Sequence, residues 1–258
     1  ITSVAYIFSH DYWQPKATDG LYRPLTILSF LVDYAVLGHG DRPAGYVIEN
    51  VGLHLVCATL VYGLVWQVAG RRWPATVAAL LFAVHPITTD AVTNVMGRAD
   101  LLAAAGVLGG VLCWVSGAAA VGGRRVAWGV GLAVATITAF LSKENGLVLV
   151  PAVLLYDRVL GPAERRRLRP EHLLVIALLV GYVAARWWVD HVGLVPQDIS
   201  PVDNPLVEAP FWLGRLTALG VLLRETGLVL WPATLSIDYS YRQVPIAVWP
   251  PAGAGDWM

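Results

Sequence analysis

The chain is 258 residues long, 57% hydrophobic and only 14% charged, with a mean hydropathy of +0.60; an ordinary soluble domain carries about 25% charged residues, so that class is excluded and a membrane protein is indicated. Its 18 basic and 18 acidic residues cancel, so no global field recruits nucleic acid, and the placement of each sign along the chain becomes the informative quantity. The opening at Ile1 rather than Met, and the stop at "AGDWM", read as a fragment of a longer protein.

In chain order, the polar opening contains "FSHDYWQP" and then "YRPLT". Residues 25–37, "LTILSFLVDYAVL", are apolar but hold Asp33 in their middle. A span needs roughly 20 apolar residues, fewer where neighbours bury a short helix. Spans are predicted over 46–70, 73–87, 101–123, 126–141, 146–156 and 172–189, with a further apolar stretch at 211–235 interrupted by Arg224 and Glu225. Arg71 and Arg72, then Arg124 and Arg125, then Arg158, Arg165, Arg166, Arg167 and Arg169 form three basic clusters, each two crossings from the next. Basic residues in short loops stay in the cytoplasm, so all three clusters are expected there. Parity then puts Asp11, Asp19, Asp90, Asp100, Glu144, Asp190, Asp198, Asp203 and Glu208 on the other side. It also demotes 25–37 to an interfacial helix. The expected organisation is an outer loop with that helix (1–45), a transmembrane helical core (46–189), and a second outer loop followed by a membrane or interfacial helix (190–258). The fold class is all-α, a polytopic helical membrane bundle.

Several polar groups stand where apolar runs meet. In "HPITTDAVTNVMGRAD", residues 85–100, a helix continuing past Pro86 would place Asp90, Asn94 and Arg98 on one face. Arg98 would bind an anion at the membrane boundary, with Asp90 or Asn94 orienting it or a hydroxyl, and His85 would line the same place; a solvated turn with a self-satisfied Asp/Arg pair is the plainer alternative. "SKENG" offers Lys143 and Glu144 between two apolar runs, Lys143 being either a snorkelling side chain or a second cation for a phosphate. Arg23 precedes a proline suited to a first helical turn. Glu49, Asn50 and His54 sit at the outer end of a span, His54 reading more naturally as a hydrogen-bonded packing residue. Cys57 and Cys113 lie in apolar runs and predict neither a disulfide nor a metal site. No P-loop, G-x-S-x-G or Rossmann fingerprint occurs.

"HDYW" followed by "YRPLTILSF", "NVGLHLV", "LLFAVHPITTDAVTNVMGRADLLA", "FLSKENGLVLV", "DNPL", "RLTALGVL" and "LWPATLSIDYSY" resemble, in order and spacing, the transmembrane and tetratricopeptide-repeat containing O-mannosyltransferases and their bacterial relatives. The resemblance implies a C-type superfamily glycosyltransferase fold. It also implies transfer of a sugar, usually mannose, from a polyprenyl-phosphate donor to a protein Ser or Thr hydroxyl on the extracytoplasmic side, in a bacterial inner or ER-like membrane. Members also carry an acidic pair upstream of the "HDYW" segment and a tetratricopeptide array after the membrane domain; neither falls within these residues. On this reading Asp11 is the candidate base. Arg98, Lys143 and Arg23 hold the leaving phosphate, with Arg98 and Lys143 reaching one cavity, and His85, Asp90, Asn94, Glu144 and His54 line it. The partners expected are the lipid-linked sugar, an acceptor protein and the bilayer; no cofactor and no metal are called for. A transporter or flippase of a lipid-linked intermediate would use the same cations without a base, and a scaffold would need neither.

Overall fold

A computed structural model describes residues 4–12, 21–161, 169–192, 206–207, 209–236 and 245–247, with side-chain surroundings of the third segment running to Val189. Trp13, Asp19, Arg165, Arg166, Arg167, Asp198, Asp203 and Glu208, and the side chain of Asp190, lie outside the described residues. The chain forms two compact units, residues 1–195 and 196–258. Among the described residues every regular element is helical, so the all-α expectation holds.

In the first unit, α1 (Val4–Ser9) and α2 (Pro24–Ala35) precede α3 (Pro43–Ala69) and α4 (Arg72–Val84); α5 (Thr89–Thr93) is a short turn of helix, and α6 (Arg98–Gly117), α7 (Gly122–Ser142), α8 (Leu149–Val159) and α9 (Pro170–Val192) follow. The boundaries have local causes. Proline occupies the first turn of α2 and α3, where its missing N–H costs nothing. Gly70 ends α3 in the left-handed region at φ 67°, a conformation that favours glycine. His85 precedes Pro86 and is held extended (ψ 125°), which stops α4.

Among the described residues four helices are long and apolar enough to cross a membrane: Pro43–Ala69, Val95–Gly117, Gly122–Ser142 and Pro170–Val189. A fifth crossing follows if α4 and its continuation Pro86–Thr93, bent by 49°, count as one span. The 146–156 run is shorter as a helix than these, and a 3-10 turn at Glu144–Val148 leads into it. Contacts at its two ends show that it runs alongside α6. Lys143 binds Asp100, and Asp157 accepts from Trp114 Nε1 at 3.0 Å; Asp100 and Trp114 lie about 21 Å apart along α6 at the helical rise.

The same kind of pairing orients α3. Asn50 Nδ2 donates to Asn94 O (2.9 Å), Cys57 Sγ lies 3.5 Å from Leu101 O, and Gly63 faces Leu112, so α3 and α6 run parallel. The loops carrying Arg71–Arg72 and Arg124–Arg125 and the start of α9 at Arg169 are therefore at one end of the bundle. An Arg125–Glu171 ion pair (2.8 Å) and an Arg169–Asp157 pair (3.0 Å) join the last two directly. At the opposite end, Thr26 Oγ1 donates to Ser142 O (2.9 Å) while Asp33 pairs with Arg98. Both ends of α2 thus touch the same end of the bundle, and the helix lies across that end rather than through the bundle.

Small residues set the tightest approach. A Cβ on Gly106 of α6 would stand 2.5 Å from the Ala139 backbone nitrogen of α7, so these helices meet backbone to backbone, as membrane helices do where glycine allows. Around that contact Trp114, Leu132, Phe140, Leu149, Val153, Val175 and Tyr182 form the core. Cys57 is a buried free thiol and Cys113 a half-buried one.

In the second unit, α10 (Phe211–Leu230) carries Arg215, Arg224 and Glu225 and is not among the helices apolar enough to span. Its Thr217 hydroxyl accepts from the Ala247 N–H at 2.8 Å.

Candidate functional site

The end of the bundle opposite the arginine loops holds two polar clusters. The first surrounds Arg98. The segment after Pro86 does not continue as one helix: it makes a 3-10 turn, the single turn of α5, a break at Asn94 (φ −85°, ψ 125°) and a second 3-10 turn before α6 starts at Arg98. The break corrects the shared face expected of Asp90, Asn94 and Arg98. Its cause is local, since Asn94 Oδ1 accepts from the Met96 N–H (3.0 Å) and its carbonyl is taken by Asn50, an Asx-type turn that competes with helix. His85 does the same nine residues earlier, its Nδ1 accepting from the Ile87 N–H at 3.2 Å. Asp90 and Asn94 are exposed.

Arg98 is 1% exposed. Its guanidinium binds Asp33, donates to Asn50 Oδ1 (3.0 Å) and Tyr46 O (3.1 Å), and lies 3.2 Å from Glu49. The rings of Phe30 and Tyr46 stand 4.9 and 5.8 Å from it. The expected phosphate ligand is thus enclosed and spent on four protein partners, and it ties α2 and α3 to the start of α6. Two carboxylates share this one guanidinium. Burial pushes the Asp33 carboxyl above the usual carboxylate range, the adjacent Glu49 adds to the rise, and Arg98 opposes it. On the outer side of Glu49, His39 Nε2 lies 2.8 Å away. His54 is also buried; its Nε2 donates to Ala83 O (3.1 Å) and its ring stacks on Phe82. That bond satisfies a carbonyl in the last turn of α4, which has no partner within the helix.

The second cluster is more open. Arg23 Nε and Nη2 donate to Glu144 Oε2 at 3.1 and 2.8 Å, and Arg186 Nη1 of α9 lies 3.8 Å from Glu144 Oε1. Lys143 Nζ binds both Asp100 oxygens at 2.6 and 2.7 Å. Side-chain exposures of 17% for Arg23, 24% for Lys143 and 33% for Arg186 leave all three cations within reach of a ligand, unlike Arg98. Arg23 also lies 5.7 Å from the Tyr12 ring, and the Tyr12 hydroxyl reaches Met96 Sδ at 3.8 Å, which places the Asp11–Tyr12 turn between the two clusters. Asp11 is buried, and its Oδ2 accepts from the Leu21 N–H at 3.0 Å, so it ties positions 11 and 21 together. Burial raises the Tyr12 phenol, against the opposing Arg23 charge.

Lys143 and Arg98 therefore sit at one end of the bundle but in different clusters. A crevice lined by Trp114, Trp128, Arg125, Arg169 and Glu171 opens at the other end, where Asp157 gathers Trp114, Arg169 and His172. Among the described residues no three His, Cys, Asp or Glu side chains converge as metal ligands would. Sequence reasoning passed over Arg186. Its one signal was position: a cation at the outer end of a span, against the charge bias of the other loops.

A helical bundle of apolar spans, with ionisable side chains collected into bonded clusters at its two ends, defines a polytopic membrane protein whose polar groups are at the boundary rather than in the bilayer centre. Residues 40–189 match the dolichyl-phosphate-mannose-protein mannosyltransferase family, and the chain belongs to that family. It is 30% identical over 266 residues to the Protein O-mannosyl-transferase TMTC2 of Mus musculus, covering 95% of this chain and 31% of that protein. It is 32% identical over 263 residues to the Protein O-mannosyl-transferase Tmtc2 of Drosophila melanogaster, covering 92% and 26%. With TMTC4 of Mus musculus the identity is 28% over 302 residues, covering 99% and 40%. The chain thus spans less than half the length of these relatives. No solved structure matches it.

Proposed function

We propose that the protein is a membrane mannosyltransferase that moves mannose from a polyprenyl-phosphate donor to a Ser or Thr hydroxyl of an acceptor protein, and that the reaction takes place at the Arg23–Glu144–Lys143 end of the bundle. The observation that carries this reading is the gathering of Arg23, Lys143 and Arg186, all partly exposed, at one end of a chain belonging to this family. The arginine loops at the other end favour a cytoplasmic position, so the polar end is extracytoplasmic in this account. In this account α2, lying across that end, is part of an outer cover over the transmembrane core.

In the reaction the acceptor hydroxyl oxygen attacks the anomeric carbon from the side opposite the phosphate. The bond from that carbon to the phosphate oxygen breaks, the electron pair stays on the phosphate, and a carboxylate takes the hydroxyl proton. Asp11 is the proposed proton acceptor, one residue from the Tyr12 ring that adjoins Arg23. The charge growing on the leaving phosphate is met by Arg23, Lys143 and Arg186, fixed cations at a water-poor boundary. Arg98 acts one step removed, holding α2, α3 and α6 in register.

The test is transfer of labelled mannose from a polyprenyl-phosphate donor to a Ser/Thr-rich acceptor in membranes containing the protein. Acceptor-dependent incorporation is expected. Donor binding and translocation with no transfer to any hydroxyl would replace the transferase with a carrier of lipid-linked sugars.

A further inference from the structure

The crevice at the arginine-loop end takes no part in the proposed transfer. It lies where α6 ends and where α7 and α9 begin, with Trp114, Trp128, Arg125, Arg169 and Glu171 in its wall. Its depth follows from its neighbours. At the same end Trp66 and Trp73 are exposed, and the Arg72 guanidinium lies 5.2 Å from the Trp66 ring; exposed indole rings of this kind settle at headgroup level. Two ion pairs face the crevice, and each leaves a polar atom unsatisfied. Arg125 directs Nε (2.9 Å) and Nη2 (2.8 Å) to Glu171 Oε1, while Oε2 of that carboxylate is buried without a hydrogen bond. Arg169 binds Asp157 through Nη2 (3.0 Å) and rests 4.4 Å from the Trp114 ring, while its Nε–H is buried without an acceptor. Buried polar groups are nearly always bonded, so this wall lacks one acceptor for Arg169 and one donor for Glu171. Its cations and carboxylates already pair one to one, which asks for no net charge from an occupant. The enclosed space admits about one water-sized group. A Cβ on Gly129, also in the wall, would meet no atom within 4 Å.

We propose that this crevice is a headgroup site for a zwitterionic phospholipid bearing a phosphate and a primary ammonium, a phosphatidylethanolamine. The phosphate oxygens accept from Arg169 Nε and from the half-exposed Arg125, the ammonium donates to Glu171 Oε2, and the Trp114 and Trp128 rings flank the headgroup. One headgroup thereby supplies both the missing acceptor and the missing donor. A primary ammonium is of the size the enclosed space admits. The trimethylammonium of a phosphatidylcholine is larger and has no N–H to give Glu171, and a phosphatidylglycerol brings a net negative charge to cations that are already paired. The site is separate from the sugar chemistry at the other end of the bundle, and its occupancy is read from bound lipid rather than from transfer.

The experiment is native mass spectrometry of the purified full chain, delipidated and then offered phosphatidylethanolamine, phosphatidylcholine and phosphatidylglycerol of identical acyl chains in equal amounts. The first lipid retained by wild type should be phosphatidylethanolamine, by on the order of tenfold over each of the others, as for one charge-assisted hydrogen bond. Glu171→Gln should bring phosphatidylethanolamine and phosphatidylcholine to near parity. Gly129→Leu, which fills the crevice and favours the helix it stands in, should lower retention of phosphatidylethanolamine by a similar factor with the unfolding midpoint maintained. Glycerophosphoethanolamine, the headgroup without its chains, should not displace the lipid. Equal retention of the three lipids by wild type leaves the crevice to water and overturns the proposal. Preference for phosphatidylglycerol overturns it in favour of a purely anionic ligand, and displacement by glycerophosphoethanolamine in favour of a soluble phosphoester. A wild-type preference that persists in a folded Glu171→Gln protein and in Gly129→Leu places the lipid elsewhere and overturns it as well.

Discussion

Replacing Arg98 separates a structural cation from a ligand-binding one. Arg98→Met keeps much of the side-chain length between Phe30 and Tyr46 but leaves Asp33, 2% exposed, without its cation, and Asn50 Oδ1 without its donor. Breaking a buried pair in this way costs about 3–5 kcal/mol. The Lys143–Asp100 pair is a contrasting case: its side chains are 24% and 42% exposed, solvent screens it, and Lys143→Met should cost under about 1 kcal/mol. Arg98→Lys keeps the charge but not the planar fork that reaches Asp33, Asn50 and the Tyr46 carbonyl together, so it should fall between the two. Adding Asp33→Leu to Arg98→Met should recover part of the loss, because an apolar pair does not carry the desolvation cost of a lone carboxylate. Unfolding of the purified protein in one fixed detergent gives all four values. If Arg98→Met unfolds like wild type and loses only the binding of a lipid-phosphate probe, the enclosed cluster is not what holds these helices and Arg98 belongs to the donor site.

The raised Asp33 carboxyl gives a pH signature. Its folded pKa lies above the unfolded one, so its stabilising contribution is complete below the ordinary carboxylate range and is lost as pH rises through the raised value; comparing unfolding of wild type and Asp33→Asn across that range should show a pH-dependent loss that the variant lacks. Gly106→Ala would set a Cβ against the backbone of Ala135 and Ala139 and should destabilise by about 1–3 kcal/mol through forced separation of α6 and α7, read as a lower unfolding midpoint; an unchanged midpoint contradicts the close packing. Asp11→Asn retains an oxygen for the Leu21 N–H but takes up no proton, so the fold and donor binding should persist while transfer drops by about two to four orders of magnitude. Parental transfer rates in that variant would make Asp11 purely a loop clasp.

Much of the architecture was legible because membrane burial writes itself as long apolar runs: α3, α7 and α9 match the predicted spans within four residues at each end, and α6 ends six residues before its predicted span does. Charge parity and Asp33 set 25–37 apart from the spans, and α2 touches Ser142 and Arg98 at one bundle end. Local turn chemistry was harder to read. The helical pattern across Asp90, Asn94 and Arg98 ignored the Asn94 side chain, which satisfies the Met96 N–H and breaks the helix. Arg98 was noticed for its charge, but its partners Asp33 and Glu49 are 65 and 49 positions away, and no local spacing announces such a pair. For the same reason Arg186 and the Asp157–Trp114–Arg169 cluster became visible only when α6, α8 and α9 were brought together.

The central claim is that sugar transfer takes place at the bundle end formed by Arg23, Lys143 and Glu144. It is tested most directly by acceptor-dependent mannose transfer in membranes containing wild type, Arg23→Gln, Lys143→Gln, or Arg125→Gln from the opposite end, at matched protein levels. The account predicts at least a roughly hundredfold loss for Arg23→Gln and Lys143→Gln, as for removal of a transition-state charge partner, with Arg125→Gln transferring at close to the wild-type rate. Loss of transfer in Arg125→Gln with the other two active would contradict it, and would move the chemistry to the crevice between Trp114 and Trp128.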